Sequence, residues 1–332
     1  MVSSILLSGE SRLSSIALSN PDRKQYSSKI KQTKRWLQNK KTNYDTYFLP
    51  FVLPLLERLS QCGLLVFSID GSVVGRGCMC LMFSVIYKGK ALPIVWQTYK
   101  AKKGHLPEQA HLDLLESLEE LIPENCKVVI TGDGEFDGCD WQQFILDLGY
   151  DYVVRTRKDS NMTEQNWDDF QPKEICLEQG SDLLIEGVEF TKKKQYTNLL
   201  IWHDKGHKEP LYLLTNLDYT PDIKQFYKKR FKIEPFFRDQ KSKGFNIQKS
   251  GLSNPKRLDN LLLATCMAYI ICIMAATKAC KSIFYNQIAR LDGKFLSLFQ
   301  LGLRFIHLLV DIRQWRSFSI KRDLKPNFDY LI

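Results

Sequence analysis

The sequence predicts an α/β fold: a mixed sheet flanked by helices and interrupted by a long β-rich insertion. Three observations carry that prediction. Between residues 64 and 156, apolar runs of strand length alternate with helical stripes in the order βββαβαβ. Residues 158–220 hold only short β-type runs (DLLIEGVEF, NLLIWHD, PLYLLTN) between polar turns. Beyond them come a basic stretch and a long apolar helix. A chain of 332 residues suits one large domain with an insertion, or two domains.

Residues 9–43 read as two short helices broken at Asn20-Pro21. In the second, Tyr26, Ile30, Thr33 and Leu37 fall at helical spacing, with Lys24, Lys29, Lys31, Lys34 and Arg35 on the other faces. Such a helix is either a solvated surface element or one whose cations, Lys34 and Arg35 among them, reach phosphates. Residues 64–70 (LLVFSID), 80–87 (CLMFSVIY) and 91–97 (ALPIVWQ) predict an antiparallel meander, the last two strands joined by a Lys-Gly-Lys turn. Leu112, Leu115, Leu118 and Ile122 form the stripe of a helix over 106–122, with Pro107 suited to its first turn. A strand over 126–130 runs into TGDGEFDG, followed by a helix around 139–148 and a strand over 150–156. Further helices are predicted near 257–277 and 296–312.

Charge is unevenly placed. Residues 1–43 hold nine Lys or Arg against two acids, and residues 221–257 hold eleven against three. The net charge of +10 is thus gathered at two places, as in a protein that lies along a polyanion. Nine cysteines without a CxxC pair read as reduced thiols of the cytoplasm. The opening MVSSILLSGE lacks the charged start of a signal peptide. The apolar run over 261–277 is at the bottom of the membrane-spanning range and reads as a buried core helix, so no membrane partner is expected.

Asp70 and Asp133 share a local grammar: an apolar run, the acid, then Gly. Each is expected at or just past the carboxyl end of a strand, the edge where ligands collect in open α/β sheets. If the two strands are parallel neighbours, the acids lie roughly 5–8 Å apart. Carboxylates that close repel unless they share a proton or a cation. Mg²⁺ satisfies such a pair, since it takes oxygen ligands and keeps waters for phosphate. Taken singly, an Asp after a strand is more often a turn or helix cap. Glu234 lies among the cations of 226–245 (FYKKRFKIEPFFRDQKSKGF). On an unbroken helix, Tyr227, Arg230, Glu234 and Lys241 would share a face. Pro235 opposes that continuity, because its ring would clash with the carbonyl of Phe231 at a cost of about 3 kcal/mol. The helix either kinks just after Glu234 or restarts with Pro235 in its first turn. Glu135, Asp137 and Asp140 read as turn or cap residues, and Ser72 as structural. His203 and His207 have a metal-like spacing but fall in a turn.

Together these boxes resemble those of the DDE transposases of the insertion-sequence 4 group. Tyr227, Arg230, Glu234 and Lys241 match the Y-R-E-K spacing. SIDGS is similar to that family's first-Asp strand, and VITGDGEFDG to its G-D-x-x-F box. The order of the boxes agrees, the insertion lies between second and third, and the resemblance spans residues 10–280. It implies a ribonuclease-H-like five-stranded sheet. Asp70, Asp133 and Glu234 would be the catalytic acids, binding two Mg²⁺ ions (or Mn²⁺) for in-line attack on phosphorus. Tyr227, Arg230 and Lys241 would grip DNA phosphates. The implied partners are double-stranded DNA, as terminal inverted repeats and target, and a second copy of the chain in a homodimer. The implied location is the bacterial cytoplasm, on the nucleoid.

The corresponding organisation is a basic helical DNA-binding segment over 1–60 and a first part of the catalytic core over 61–157. The insertion follows over 158–220, then a second core part over 221–280 and a C-terminal helical region over 281–332. Three positions depart from the family pattern. Phe231 stands where relatives often carry Trp, and Gly134 where Arg is common. Tyr212 is the nearest aromatic in the strand where some relatives place a base-stacking Trp. The competing readings are a nuclease of the same fold without strand transfer, and an inactive derivative that binds DNA.

Overall fold

The computed structural model describes residues 1–101, 106–164, 167–290 and 296–314. The chain opens with α1 (Val2–Ser8), α2 (Leu13–Leu18), α3 (Tyr26–Gln38), α4 (Tyr44–Tyr47) and α5 (Leu49–Ser60). The pair expected from sequence is α2 and α3; the other three are additions. Two prolines mask α5 in the sequence. Pro50 lies in its first turn, where no N–H is needed, but Pro54 is internal. Burial of Val52, Leu55, Leu56 and Leu59 on one face holds the helix to the core regardless.

The meander is β1 (Leu64–Gly75), β2 (Cys78–Tyr87) and β3 (Lys90–Tyr99). Lys88 and Gly89 turn the second hairpin with positive φ at both residues, which suits the strand twist. Then come α6 (Glu108–Glu119), β4 (Lys127–Gly132), α7 (Cys139–Asp147) and β5 (Asp151–Arg155). The face α6 buries is Ala110, His111, Leu114, Leu115 and Leu118, turned slightly from the expected stripe, and Pro107 precedes the helix as its cap. These strands stand in the order β3-β2-β1-β4-β5, with β1, β4 and β5 parallel. That is the ribonuclease-H-like arrangement.

The insertion contributes β6 (Met162–Glu164), β7 (Trp167–Phe170), β8 (Asp182–Phe190) and β9 (Gln195–Trp202), followed by β10 (Leu211–Thr215). The sheet is larger than the five strands the sequence suggests. β10 pairs antiparallel with β5, and the order runs on through β9, β8, β6 and β7 to make one ten-stranded sheet. The physical reason is an edge: β5 would otherwise expose an unpaired row of backbone groups. Leu199, Leu200, Ile201, Leu213 and Leu214 are fully buried where the extension joins.

The remaining helices are α8 (Thr220–Arg230), α9 (Ile233–Gln240), α10 (Pro255–Ala279), α11 (Tyr285–Ile288) and α12 (Leu298–Asp311). By length and apolarity α10 could cross a bilayer. Here it is the central core helix, packed on β3, α1, α3 and α12 with most of its side chains buried. Asn254 caps it by accepting the Arg257 N–H at 3.1 Å. The part of the expected C-terminal helical region over 315–332 lies outside the described residues.

Candidate active site

The register of β1 against β4 builds the site. Ser68 pairs with Thr131 at the last level of the parallel ladder. Asp70 and Asp133 each come two residues later, beside one another at the end of the ladder and close enough for the Asp133 charge to act on Asp70. The local pinning is tight: the Thr131 hydroxyl donates to Phe67 O at 2.9 Å, and the Ser68 hydroxyl donates to Arg230 O at 3.1 Å. The second bond sets the end of α8 directly over this edge.

One expectation needs correcting. Asp133 does follow its strand, but Asp70 lies inside β1, which runs on to Gly75. The extension exists because β2 keeps pairing with β1 through Asp70↔Met82 and beyond, after β4 has stopped. Asp70 is thus past the end of the parallel ladder without being at the end of its strand.

Of the two alternatives for the break near Glu234, the structure has the restart with Pro235 in the first turn and not a kink just after the acid. α8 ends at Arg230, and α9 begins at Ile233 with Pro235 in its first turn. A proline ring clashes with the carbonyl four residues earlier, here that of Phe231, so the first helix has to stop by that residue. Glu234 therefore opens the second helix. Arg230 still reaches it across the joint, with Nη2 at 2.9 Å from Oε1. Arg230 is nearly buried, while Glu234 is half exposed. The guanidinium also stacks over the Phe231 ring, 4.3 Å from its centroid.

The electrostatics converge on Asp70. Burial, then the Asp133 charge, push its carboxyl up to about 7; Glu234 adds to this, while Arg230 and the Gly71 N–H oppose it. That N–H donates to Asp70 Oδ1 at 2.8 Å. Asp133 Oδ1 accepts the Glu135 N–H at 3.0 Å, which tightens the loop after β4. A buried carboxylate beside a second one is the donor set a hard cation satisfies. Among the described residues, no three acid, His or Cys side chains form a ready metal cage. Glu234 is engaged by Arg230, which leaves Asp70 and Asp133 as the neighbouring carboxylates a cation could share.

Two hollows flank these acids. The larger, about 500 Å³, lies on the Asp133 side and is lined by Arg155, Arg157, Lys158, Tyr212, Tyr227, Arg230 and Phe231 among others. The Tyr227 ring is buried, its hydroxyl pushed up by that burial with Arg230 and Arg155 opposing. The smaller, about 340 Å³, lies on the Asp70 side between Asp70, Ser72, Glu234, Phe237, Arg238 and Lys241. Burial lowers the Lys241 ammonium, and the nearby Asp70 charge works against that.

The structure therefore brings together Asp70, Asp133, Glu234, Tyr227, Arg230 and Lys241. Lys34 and Arg35 are exposed on α3 and line neither hollow. The weaker candidates have other engagements. Glu135 accepts the Leu106 N–H at 2.9 Å and faces His111 at 3.6 Å. Asp137 accepts from Thr156, and Asp140 pairs with Lys193. Both ring nitrogens of His203 contact backbone carbonyls, those of Leu177 and His207, which leaves neither for a metal. Sequence reasoning missed Arg155, Arg157 and Lys158. Their signal was a cationic run directly after a strand, which matters once β5 is known to lie parallel to β4.

The profile of the transposase DDE domain matches residues 66–271, more than half of the chain. No curated protein matches. Among solved structures, one similar chain belongs to a cryo-EM structure of a piggyBac transposase synaptic complex with hairpin DNA. It is 13% identical, with 92% of this chain and 66% of that chain covered and a TM-score of 0.44, a likeness too distant to bear on function.

Proposed function

The chain belongs to the family that carries the transposase DDE domain, and we propose that it cuts and rejoins the DNA ends of its own element by a cut-and-paste route. The reading extends to the insertion-sequence 4 group through the Y-R-E-K spacing of Tyr227, Arg230, Glu234 and Lys241. One observation carries it: the β1–β4 register sets Asp70 and Asp133 side by side, under an Arg230–Glu234 pair and between two cation-lined hollows.

Asp70, Asp133 and Glu234 would hold two divalent ions, Mg²⁺ or Mn²⁺, which activate a water or 3′-hydroxyl and stabilise the oxygen leaving phosphorus. For Glu234 to join the two aspartates, it has to release Arg230. The freed guanidinium then faces the Asp133-side hollow, where it can take a phosphate in bidentate fashion. Arg155, Arg157 and Lys158 extend that grip along the backbone. Tyr227 lies beneath Arg230 as a positioning ring and hydroxyl rather than a nucleophile. Tyr212 also lines this hollow, but its ring is buried and leaves little face for a base to stack on. The proposal includes a homodimer that pairs two element ends, working in the bacterial cytoplasm.

The test uses purified full-length chain and oligonucleotides copied from the DNA flanking its coding region. Cleavage and joining to a target are expected only with Mg²⁺ or Mn²⁺. Asp70→Asn, Asp133→Asn and Glu234→Gln should each lower the rate by roughly 10³-fold or more. Full activity in all three variants would overturn the assignment. Cleavage without joining would instead favour the nuclease reading.

A further inference from the structure

Ser72 follows Asp70 by two residues, so it shares that acid's face of β1. The strand reaches it only because β1 outruns β4. From that position its hydroxyl accepts Lys241 Nζ at 2.5 Å, across 169 residues of sequence. Lys241 is held at its other end too. It ends α9, its N–H donates to Phe237 O at 3.0 Å, and its carbonyl accepts the Asn246 N–H at 2.8 Å. The ammonium also sits 5.8 Å from the centroid of the Phe237 ring.

A lysine fixed in this way is unusual physics for a surface hollow. Its long stem is flexible, and a half-buried ammonium normally snorkels to water. Among the described residues, the Ser72 oxygen is the acceptor that Lys241 Nζ meets. Resting on the DNA-cutting reading above, we propose that Ser72 is a positioning residue: it holds the Lys241 ammonium beside Asp70, so that a DNA phosphate entering the Asp70-side hollow meets a preset cation. Preorganised charge binds a phosphate without the ordering cost that a mobile lysine would carry. In this role the hydroxyl accepts from the ammonium and takes no part in bond making. Its task is to fix where the lysine stands.

The test compares Ser72→Ala, Ser72→Thr, Lys241→Ala and the Ser72→Ala/Lys241→Ala double variant. Two quantities are read on the full chain: affinity for a duplex carrying the flanking DNA, measured without divalent ions, and the rate at which a lysine acylating reagent modifies Lys241. Ser72→Ala should weaken duplex binding about fivefold, the effect of one hydrogen bond, and should speed acylation of Lys241. Ser72→Thr should restore both values. In the Lys241→Ala background, Ser72→Ala should add nothing further.

Unchanged acylation in Ser72→Ala, or an undiminished binding loss without Lys241, would overturn the proposal. So would a Lys241→Ala variant that binds and cleaves normally. The outcome stays separable from that of the carboxylates. If Asp70→Asn cleaves normally while Ser72→Ala still acts through Lys241, the catalytic reading falls and the role of Ser72 stands.

Discussion

The two hollows beside the carboxylates are built on different principles. On the Asp133 side the walls are Arg155, Arg157 and Lys158, all exposed, grouped around the buried Tyr227. Lys158 makes only a surface contact with Glu209 at 3.2 Å. On the Asp70 side the hollow is smaller, and its inner cation, Lys241, is half-buried and bonded to Ser72. Arg230 stands between the two, nearly buried and committed to Glu234. One side offers many adaptable charges and the other offers a single ordered one. Exposed cations add affinity through counterion release without fixing geometry. A fixed cation sets where a phosphate can sit relative to the acids. Under the proposed function, the open side would hold DNA and the ordered side would aim it.

The largest effect that could break this division lies at the joint itself. Arg230→Lys keeps the charge but loses the planar fork, and it should lower cleavage by about tenfold or more while duplex affinity changes little. If affinity and cleavage fell together, Arg230 would belong with the holding group.

Next in size are the exposed cations. Arg155→Ala, Arg157→Ala and Lys158→Ala should each weaken duplex binding whatever its sequence, and each should reduce the slope of log affinity against log salt by about 1. Cleavage of bound DNA at saturation should be nearly unchanged. A loss confined to the cleavage step would move that residue to the aiming side.

The smallest effect is on stability, at the back of α9. Asp239 is buried there; burial raises its carboxyl to about 6, with Lys90 and Arg238 opposing. The folded chain thus keeps this proton to a higher pH than the unfolded chain does. Stability from this group is greatest below the unfolded carboxylate's range, and it falls as pH rises to about 6. Asp239→Asn stays neutral throughout. It should melt level with the parent near pH ~4 and above it near pH ~7. The opposite crossing would show that Lys90 and Arg238 outweigh burial.

Much of the site was legible because its information is local. An apolar run, an acid and a glycine mark Asp70 and Asp133 without reference to anything distant. The spacing of Tyr227, Arg230, Glu234 and Lys241 lies within one short stretch. The position of the helix break was also written there, since Pro235 acts on the carbonyl of Phe231 and not on the residues after it. What stayed hidden depends on pairing between remote segments. Ser72 reads as structural until Lys241 is placed against it. Arg155 reads as an ordinary strand end until β5 is known to lie beside β4. The sheet extension was hidden for the same reason, because the short runs of β8 and β9 do not say which edge they will cover.

The central claim is that Asp70 and Asp133 act as metal ligands in DNA cleavage. The most direct test replaces each with Cys and measures end cleavage in Mg²⁺ and in Mn²⁺. A thiolate is a poor ligand for Mg²⁺ and a better one for the softer ion. Asp70→Cys and Asp133→Cys should be inactive with Mg²⁺ and regain measurable cleavage with Mn²⁺, while the parent chain cuts with both. Full cleavage by either variant in Mg²⁺ would contradict the claim.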